Sequence, residues 1–426
     1  MKVDPYRIVV FLGTIWGLTF MLLMLDTNLS DPTKFERSDY VMHFYVAGHL
    51  IATGQSSILY PSPEDASIAQ APFNKVAHSL LPHLPEDAIS VFGYSPLVAW
   101  VFFQPLSKLP PHISLLVWQA ISIIALILSA LFLYRATKVK ASDIVFLSSL
   151  FFPLMATLWS GQVSLVFGLL PLSVGYFLLT KNRPAMAGFV SSFLVLKPQF
   201  LPVAAFVSFA LALSRRCKCL TGLVLGVGAI IVANLILVPV EVSMSWLYSI
   251  KIIESTFSTG LYAIPTHLMV YLPVNLLLVV PTELRPTFKW FTYSVAAILW
   301  LAGLWRCKKI AQSNLDEIPK LSLILMIGLF LLPLTAPRLM YYDLCLFLPA
   351  GVLLLGNDWA KSQSASFKRI ALIAWISISA YMLVFLNVRP PAELTLVLQL
   401  ILLALFAYFV RSVAKLCAES ECALRD

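Results

Sequence analysis

Long apolar stretches, separated by short polar or basic segments, run through the whole chain. A helix needs about 20 apolar residues to cross a bilayer, and stretches near that length recur between polar flanks. An even number of such stretches places both termini on the same side of a membrane. We predict twelve crossings, near Ile8–Leu25, His112–Tyr134, Asp143–Trp159, Gln162–Thr180, Pro184–Leu196, Gln199–Ser214, Leu220–Pro239, Thr287–Trp305, Leu321–Ala336, Tyr342–Gly356, Arg369–Leu386 and Leu394–Val410.

Two segments between the predicted crossings, residues 26–94 and 240–286, are too long to be simple connections, and loops of such length are usually functional. In the first, Ser38 can cap a helix that starts at Asp39 and ends at Gly54. Its apolar residues recur at helical spacing, so we expect an amphipathic helix lying along the membrane interface. The role of the second segment is left open by the sequence.

The composition agrees with a chain solvated by lipid. Apolar residues make up 59% of the 426 residues, charged residues make up 12%, and the mean hydropathy is +0.86. A soluble protein of this length needs a more polar surface, so we predict an all-α polytopic membrane protein built as one domain over residues 1–426. The net charge of +9 does not indicate a nucleic-acid partner, because no polar stretch interleaves basic and aromatic residues.

The positions of the basic residues predict an orientation. With both termini in the cytoplasm, 20 of the 30 Lys and Arg residues fall on the cytoplasmic side. By the positive-inside rule, residues 26–94 and 240–286 are then extracytoplasmic. We therefore expect a multi-pass protein of the cell inner (plasma) membrane whose functional loops face outward.

Several predicted crossings are too short or are broken. Pro184–Leu196 and Gln199–Ser214 meet at Lys197-Pro198-Gln199, and a helix of about 14 residues rises only about 21 Å, less than the bilayer core. Similar breaks occur at Ser160-Gly161-Gln162 and between Ala336 and Asp343. Broken helices with polar tips on one face are typical of a cavity open to one side of the membrane.

Asp39 is the candidate catalytic residue, with His43 one turn later on the same helix face. Two interpretations are open. Asp39 can be a helix N-terminal acid stabilised by the helix dipole. Alternatively, a carboxylate in a dry, half-buried site can act as a general base for a hydroxyl nucleophile.

Three cations are predicted on the same side, Lys197, Arg338 and His267. Snorkelling or anchoring at the headgroups explains any one of them, but three near one cavity favour binding of an anionic lipid phosphate. Asp343 can orient Arg338 or bind a sugar hydroxyl. We expect neither a metal nor a cofactor, because the outside loops contain no Asp-x-Asp motif and Cys217-x-Cys219 has no second pair of ligands nearby.

A set of short segments, spread in order over residues 38 to 350, carries a family resemblance. They are Ser38-Asp39-Tyr40, Phe44-Tyr45-x-Ala47-Gly48, Gly54, Leu59-Tyr60, Phe92-Gly93-Tyr94-Ser95-Pro96-Leu97, Gln104-Pro105-Leu106, Leu109-Pro110, Trp118, Ser160-Gly161-Gln162-Val163, Ala187-Gly188, Leu196-Lys197-Pro198-Gln199, Ala336-Pro337 and Tyr342-Asp343-Leu344. This arrangement resembles glycosyltransferase family 87, the polyprenol-phosphate-mannose-dependent mannosyltransferases of GT-C membrane fold. Three positions differ from the family pattern. Tyr94-Ser95-Pro96 replaces a Tyr-Pro-Pro, Pro61 replaces an aspartate, and the segment after Pro337 is of the Tyr342-Asp343 type, whereas actinobacterial mannosyltransferases of the family tend to carry a Ser-Trp-x-His type.

The resemblance implies an inverting transfer in which Asp39 deprotonates the acceptor hydroxyl. An extracytoplasmic Asp39 excludes a cytoplasmic sugar nucleotide as donor, so the expected donor is a polyprenyl-phosphate sugar, with a hexose such as mannose, and the acceptor is a lipid or a glycan. We expect Lys197, Arg338 and His267 to hold the donor phosphate. The residues expected to bind substrate are His43, Tyr94, Gln162, Gln199, Tyr342 and Asp343.

Two other functions remain open at this point. A transporter or flippase of a lipid-linked sugar would use Lys197 and Arg338 to line a path, although transporters usually show two related halves and none are visible here. A purely structural membrane subunit would not need a polar cavity.

Overall fold

The computed structural model describes residues 5–62, 65, 67–213, 217–259, 268–336, 338–356, 373–381 and 392–422. Within these ranges the chain is helical, and the only strand-like pairing is a single antiparallel bridge between Met269 and Met340. This agrees with the predicted all-α membrane protein.

Five of the described helices are long and apolar enough to cross a membrane: Phe11–Ser30, Pro111–Thr137, Lys218–Leu237, Glu317–Thr335 and Leu394–Ala418. A sixth span is possible if Ala141–Ser149 and Phe152–Ser160, which meet at 67°, form one broken crossing. The first helix, Pro5–Ser30, continues through Asp26, where the sequence pattern placed the start of the first loop. The count of twelve crossings stays a prediction, and half of Arg369–Leu386 lies outside the described residues.

The other helices are shorter or less apolar. In the N-terminal part they are Pro32–Phe35, a π-helix Tyr40–Tyr45 that continues as Val46–Ala52, Pro72–Leu80, Pro96–Val98, a π-helix Ala99–Phe103, and Gln104–Leu106. Those that follow are a π-helix Leu165–Leu169, Leu170–Thr180, Pro184–Ser191, Leu201–Ala212, Val240–Thr259, Leu272–Leu278, Arg285–Gln312, Leu348–Gly356 and residues 373–381. Short 3₁₀ turns include Ser192–Leu196, Pro198–Phe200 and Tyr341–Phe347.

The predicted helix after Ser38 is present. The Val41 backbone N–H donates to Ser38 Oγ at 3.3 Å, as expected for a cap, and the chain leaves the helix at Gly54 with a φ of +75°. The helix Tyr40–Ala52 packs against Ala99–Phe103, Gln104–Leu106 and Pro111–Thr137. Its apolar side chains are therefore buried in protein.

The buried apolar residues form two clusters. The first, which we name the membrane core, joins helices between residues 144 and 211 to those between 321 and 353 and to the helix Ala392–Cys422. The second, which we name the loop core, joins the buried apolar residues between Phe35 and Phe103 to Leu115, Trp118, Val163, Phe167, Leu196, Val238 and Val242. Tyr40, Phe103 and Phe167 surround Trp118 in the loop core, with ring centroids 5.0 to 6.2 Å away.

Candidate functional site

The candidate site lies where four interrupted helices meet between the two cores. Asp39 precedes the helix Tyr40–Ala52, and Gln162 follows the end of Phe152–Ser160. Lys197 separates the short turns Ser192–Leu196 and Pro198–Phe200, and Asp343 lies in Tyr341–Phe347. The three breaks expected from the sequence, at Ser160-Gly161-Gln162, at Lys197 and between Ala336 and Asp343, are present.

Gly161 makes one of these breaks possible. It ends the helix Phe152–Ser160 in the left-handed conformation, with a φ of +67°, which glycine adopts without steric cost. A Cβ atom on Gly161 would lie 2.5 Å from Cβ of Tyr40. Gly161 therefore allows the membrane core and the loop core to approach closely beside the site.

Gln162 contacts the Asp39 carboxylate directly. Its Nε2 donates to Asp39 Oδ2 at 2.6 Å and to the Tyr342 hydroxyl at 3.0 Å, while its Oε1 accepts from the Tyr94 hydroxyl at 3.2 Å. Burial raises the pKa of Tyr94, against the effect of the nearby Lys197 ammonium, so Tyr94 stays protonated and able to donate. The Gln162 amide therefore joins Asp39 to both tyrosines.

Lys197 and Asp343 form an ion pair without solvent exposure. Lys197 Nζ lies 2.5 Å from Asp343 Oδ1, and both side chains are 0% exposed. The ammonium also donates to Ser164 Oγ at 2.6 Å, and Ser164 Oγ donates to Asp343 Oδ1 at 2.8 Å. The second Asp343 oxygen accepts from the Met340 backbone N–H at 3.0 Å. Such an enclosed pair holds its geometry because losing either partner leaves a buried charge uncompensated.

Aromatic rings enclose the same ammonium. Lys197 Nζ lies 5.0 Å from the ring centroids of Phe200 and Tyr342 and 5.9 Å from that of Tyr94. Ring faces attract a cation, and the attraction is stronger where water is excluded. The side chain that we expected to hold the donor phosphate is thus already surrounded by protein groups.

His43 and Arg338 lie on the more open side of the cluster. His43 Nδ1 accepts from the Val91 backbone N–H at 3.2 Å, which places the proton of the neutral ring on Nε2. Burial lowers the pKa of His43; the Asp39 charge opposes this shift and the Arg338 charge adds to it. Asp39, His43, Arg338, Tyr94 and Tyr342 are all half-buried, in contrast to the enclosed Lys197 and Asp343.

The helix Val240–Thr259, from the second long segment, reaches this open side. A Cβ atom on Gly93 would lie 3.7 Å from the Arg338 guanidinium and 3.8 Å from Ile253. The short backbone pairing in which Val270 N–H donates to Leu339 O at 2.9 Å fixes residues 268–271 beside the Arg338 loop. Part of the segment 240–286 therefore borders the site.

His267 and Gln199 are the two other predicted site residues. His267 lies outside the described residues, two positions before the bridged Met269. Gln199 is half-buried in the turn Pro198–Phe200 and makes no hydrogen bond with any of the other described site residues. In the part of the chain that the structure describes, no three His, Cys, Asp or Glu side chains are grouped as metal ligands.

Ser164 was missed by sequence reasoning. Its hydroxyl bonds to both Lys197 and Asp343, yet the position of a serine two residues after Gln162 carries no signal of that role. Asp343 was expected to orient Arg338 or bind a sugar hydroxyl, but its hydrogen-bond partners are Lys197, Ser164 and the Met340 backbone. Only the three-dimensional arrangement reveals these contacts.

The family model of glycosyltransferase family 87 matches residues 92–333, which is more than half of the chain and includes Tyr94, Gln162, Ser164 and Lys197. No curated protein and no solved structure matches the sequence.

Proposed function

The chain belongs to glycosyltransferase family 87, and from this premise we propose that it transfers a hexose, such as mannose, from a polyprenyl-phosphate donor to a hydroxyl of a lipid or glycan acceptor. Family membership identifies a glycosyltransferase rather than a transporter or flippase. We place the reaction on the extracytoplasmic face of the inner membrane, with both termini in the cytoplasm, on the distribution of Lys and Arg residues.

One observation carries the mechanism: of the two carboxylates in the cluster, only Asp39 is accessible. Asp343 is 0% exposed and paired with Lys197, whereas Asp39 is half-buried. A single displacement with inversion needs one base, whereas a retaining mechanism uses two carboxylates on the reacting sugar. Asp39 therefore fits the general base of an inverting transfer.

In the proposed step, the acceptor hydroxyl oxygen forms a bond to the anomeric carbon of the sugar while its proton passes to Asp39. The bond between the anomeric carbon and the phosphate oxygen breaks, and its electron pair leaves with the polyprenyl phosphate. Positive charge near the departing phosphate lowers the barrier. Arg338 supplies this charge in our proposal, because it lies on the open side of the cluster, and a guanidinium binds phosphate with two parallel hydrogen bonds.

We also assign a role in this proposal to each of the remaining predicted residues. His43, Tyr94 and Tyr342 border the open side and would contact the sugar or the acceptor. His267 stays a candidate ligand of the donor phosphate, and Gln199 stays a candidate substrate contact. Lys197 is enclosed, so in our proposal it acts on the phosphate only through the residues around it.

The experiment is transfer of label from radiolabelled polyprenol-phosphate-mannose into lipid and glycan in membranes that contain the wild type, Asp39→Asn or Asp31→Asn. Asp31 is the matched control, because it is an acid on the same segment that caps Pro32–Phe35 outside the cluster. We expect Asp39→Asn to lose about 10²- to 10⁴-fold in rate, as for removal of a general base, and Asp31→Asn to keep its activity.

Full transfer by Asp39→Asn would refute the assignment of the base. Absence of transfer by a folded wild type, with a panel of other polyprenyl-phosphate sugars equally inactive, would refute the donor class.

A further inference from the structure

Gln162 lies between two groups of opposite charge. Its Nε2 is 2.6 Å from Asp39 Oδ2, and its Oε1 is 3.4 Å from the Lys197 ammonium. An ammonium can only donate hydrogen bonds and an ionised carboxylate can only accept them. Only one orientation of the amide satisfies both neighbours, with the oxygen toward Lys197 and the nitrogen toward Asp39.

The amide has no capacity left for a substrate. Its two N–H groups serve Asp39 and Tyr342, and its oxygen accepts from Tyr94 and Lys197, which completes the four hydrogen bonds that a glutamine side chain makes. Gln162 is 2% exposed. These contacts argue against the role in direct substrate binding that the sequence suggested for Gln162.

Lys197 is itself fixed in place. Asp343, Ser164 and three aromatic rings hold its ammonium. The positive charge that orients the Gln162 amide is therefore fixed in position. The chain of contacts runs from the enclosed ion pair through one amide to the accessible carboxylate.

We infer that Gln162 is a positioning residue for Asp39, and that the Lys197–Asp343 pair fixes the orientation of the Gln162 amide. This inference rests on the proposed function, in which Asp39 is the base. Gln162 donates to Asp39 Oδ2, so in this proposal the acceptor proton passes to Oδ1, which receives no hydrogen bond from Gln162. The enclosed ion pair thus contributes to the reaction without contacting the substrate.

The test compares Gln162→Met with Gln119→Met, using radiolabelled polyprenol-phosphate-mannose and the acceptors of the host membrane. Gln119 is a matched control, because it is also 2% exposed and joins helices through hydrogen bonds with Asn28 Nδ2 and Leu158 O, with no hydrogen bond to Asp39. We expect Gln162→Met to lower kcat about 100-fold, as for a misplaced catalytic group, with the donor KM changed less than about threefold. Gln119→Met should keep kcat and KM while its Tm falls.

A second variant tests the ion pair. Lys197→Met alone leaves the Asp343 carboxylate buried without a partner and endangers folding, whereas Lys197→Met combined with Asp343→Asn removes both charges. We expect the double variant to fold, by its Tm in detergent, and to lose at least about tenfold in kcat with little change in donor KM, because the amide is no longer oriented.

Each outcome decides between explanations. A raised donor KM with unchanged kcat in Gln162→Met would show that Gln162 binds the substrate, and unchanged kcat in either folded variant would overturn the inference. If Asp39→Asn stays active, the assignment of the base fails instead. Loss of activity in Asp39→Asn with full activity in Gln162→Met would reject the positioning role alone.

Discussion

The two cores differ in what they are made of and in what they bring to the site. The largest buried side chains of the loop core are aromatic, among them Tyr40, Phe44, Phe92, Phe103 and Trp118. The membrane core is mainly aliphatic, yet it borders the enclosed Lys197–Asp343 pair. Asp39 directly precedes Tyr40 of the loop core and is half-buried, whereas the charges beside the membrane core are enclosed and paired.

This difference shows how one site can hold an accessible and an enclosed charge close together. A carboxylate that reacts has to exchange protons with a substrate, and a charge that orients its neighbours has to stay still. In our proposal the reacting carboxylate, Asp39, lies beside the loop core, and the orienting pair, Lys197 and Asp343, lies beside the membrane core. Gln162, at the contact between the cores, connects the two.

The largest effect is expected where the cores touch. Gly161→Ala would force a left-handed conformation on alanine and place its Cβ 2.5 Å from Tyr40, which together cost about 2–4 kcal/mol. Because Gln162 is the next residue, transfer activity should fall with stability. Thermal unfolding in detergent and the transfer assay measure both effects.

Gly54→Ala is the control for the Gly161 experiment. Gly54 has a similar φ of +75°, but nothing lies within 4 Å of the position of its Cβ. We expect only the conformational cost of about 1 kcal/mol and normal activity. Equal destabilisation by the two substitutions would mean that the contact between the cores is not tight.

A smaller effect separates the roles of the two cores. Tyr40 OH pairs with Ser114 Oγ at 2.7 Å in the loop core, and Tyr176 OH pairs with Ser322 Oγ at 2.7 Å in the membrane core. Tyr40→Phe and Tyr176→Phe should each cost about 1 kcal/mol of stability. Only Tyr40→Phe should lower kcat, by a few fold, because Tyr40 is the residue next to Asp39 in the chain.

Equal kcat values for the two tyrosine variants would argue that the loop core does not control the placement of Asp39. Tm values in detergent identify any variant that is inactive because it is unfolded.

The smallest effect concerns pH. Burial lowers the pKa of His43 in the folded protein, so the unfolded chain binds a proton more readily as the pH falls below the ordinary value of 6.5. Protonation of His43 therefore favours the unfolded chain. The folded protein keeps its full stability at neutral pH and loses part of it on acidification. His43→Asn keeps an acceptor for the Val91 N–H but does not titrate, so its Tm should fall less between pH 7.5 and pH 5.5.

The control is His49→Asn, which removes a histidine on the same helix and leaves the hydrogen bond between His43 and Val91 in place. A wild-type fall in Tm that both variants share would assign the effect to groups other than His43.

Local features of the fold were predictable from sequence. Ser38 and Gly54 set the limits of the helix Tyr40–Ala52 through a cap and a left-handed turn, both of which depend on neighbouring residues only. The break at Lys197 follows from the short apolar stretches on either side and the proline after it. These elements therefore agree with the structure.

The connections of the site were not predictable in the same way. Gln162 is 123 residues from Asp39 along the chain, and Lys197 is 146 residues from Asp343. A single sequence shows which polar residues interrupt apolar helices, but not which interruptions meet. The pairing of Lys197 with Asp343 depends on how the helices pack, and the role of Ser164 depends on that pairing.

The distance along the chain between Lys197 and Asp343 also bears on biosynthesis. At a translation rate of about 5–20 residues per second, the ribosome needs about 7–30 s to add the 146 residues that separate them. During that interval the lysine has been made and its carboxylate partner has not. Because an unpaired charge among membrane helices is costly, we expect the helices around Lys197 to gain their final positions only after the segment that carries Asp343 has been made.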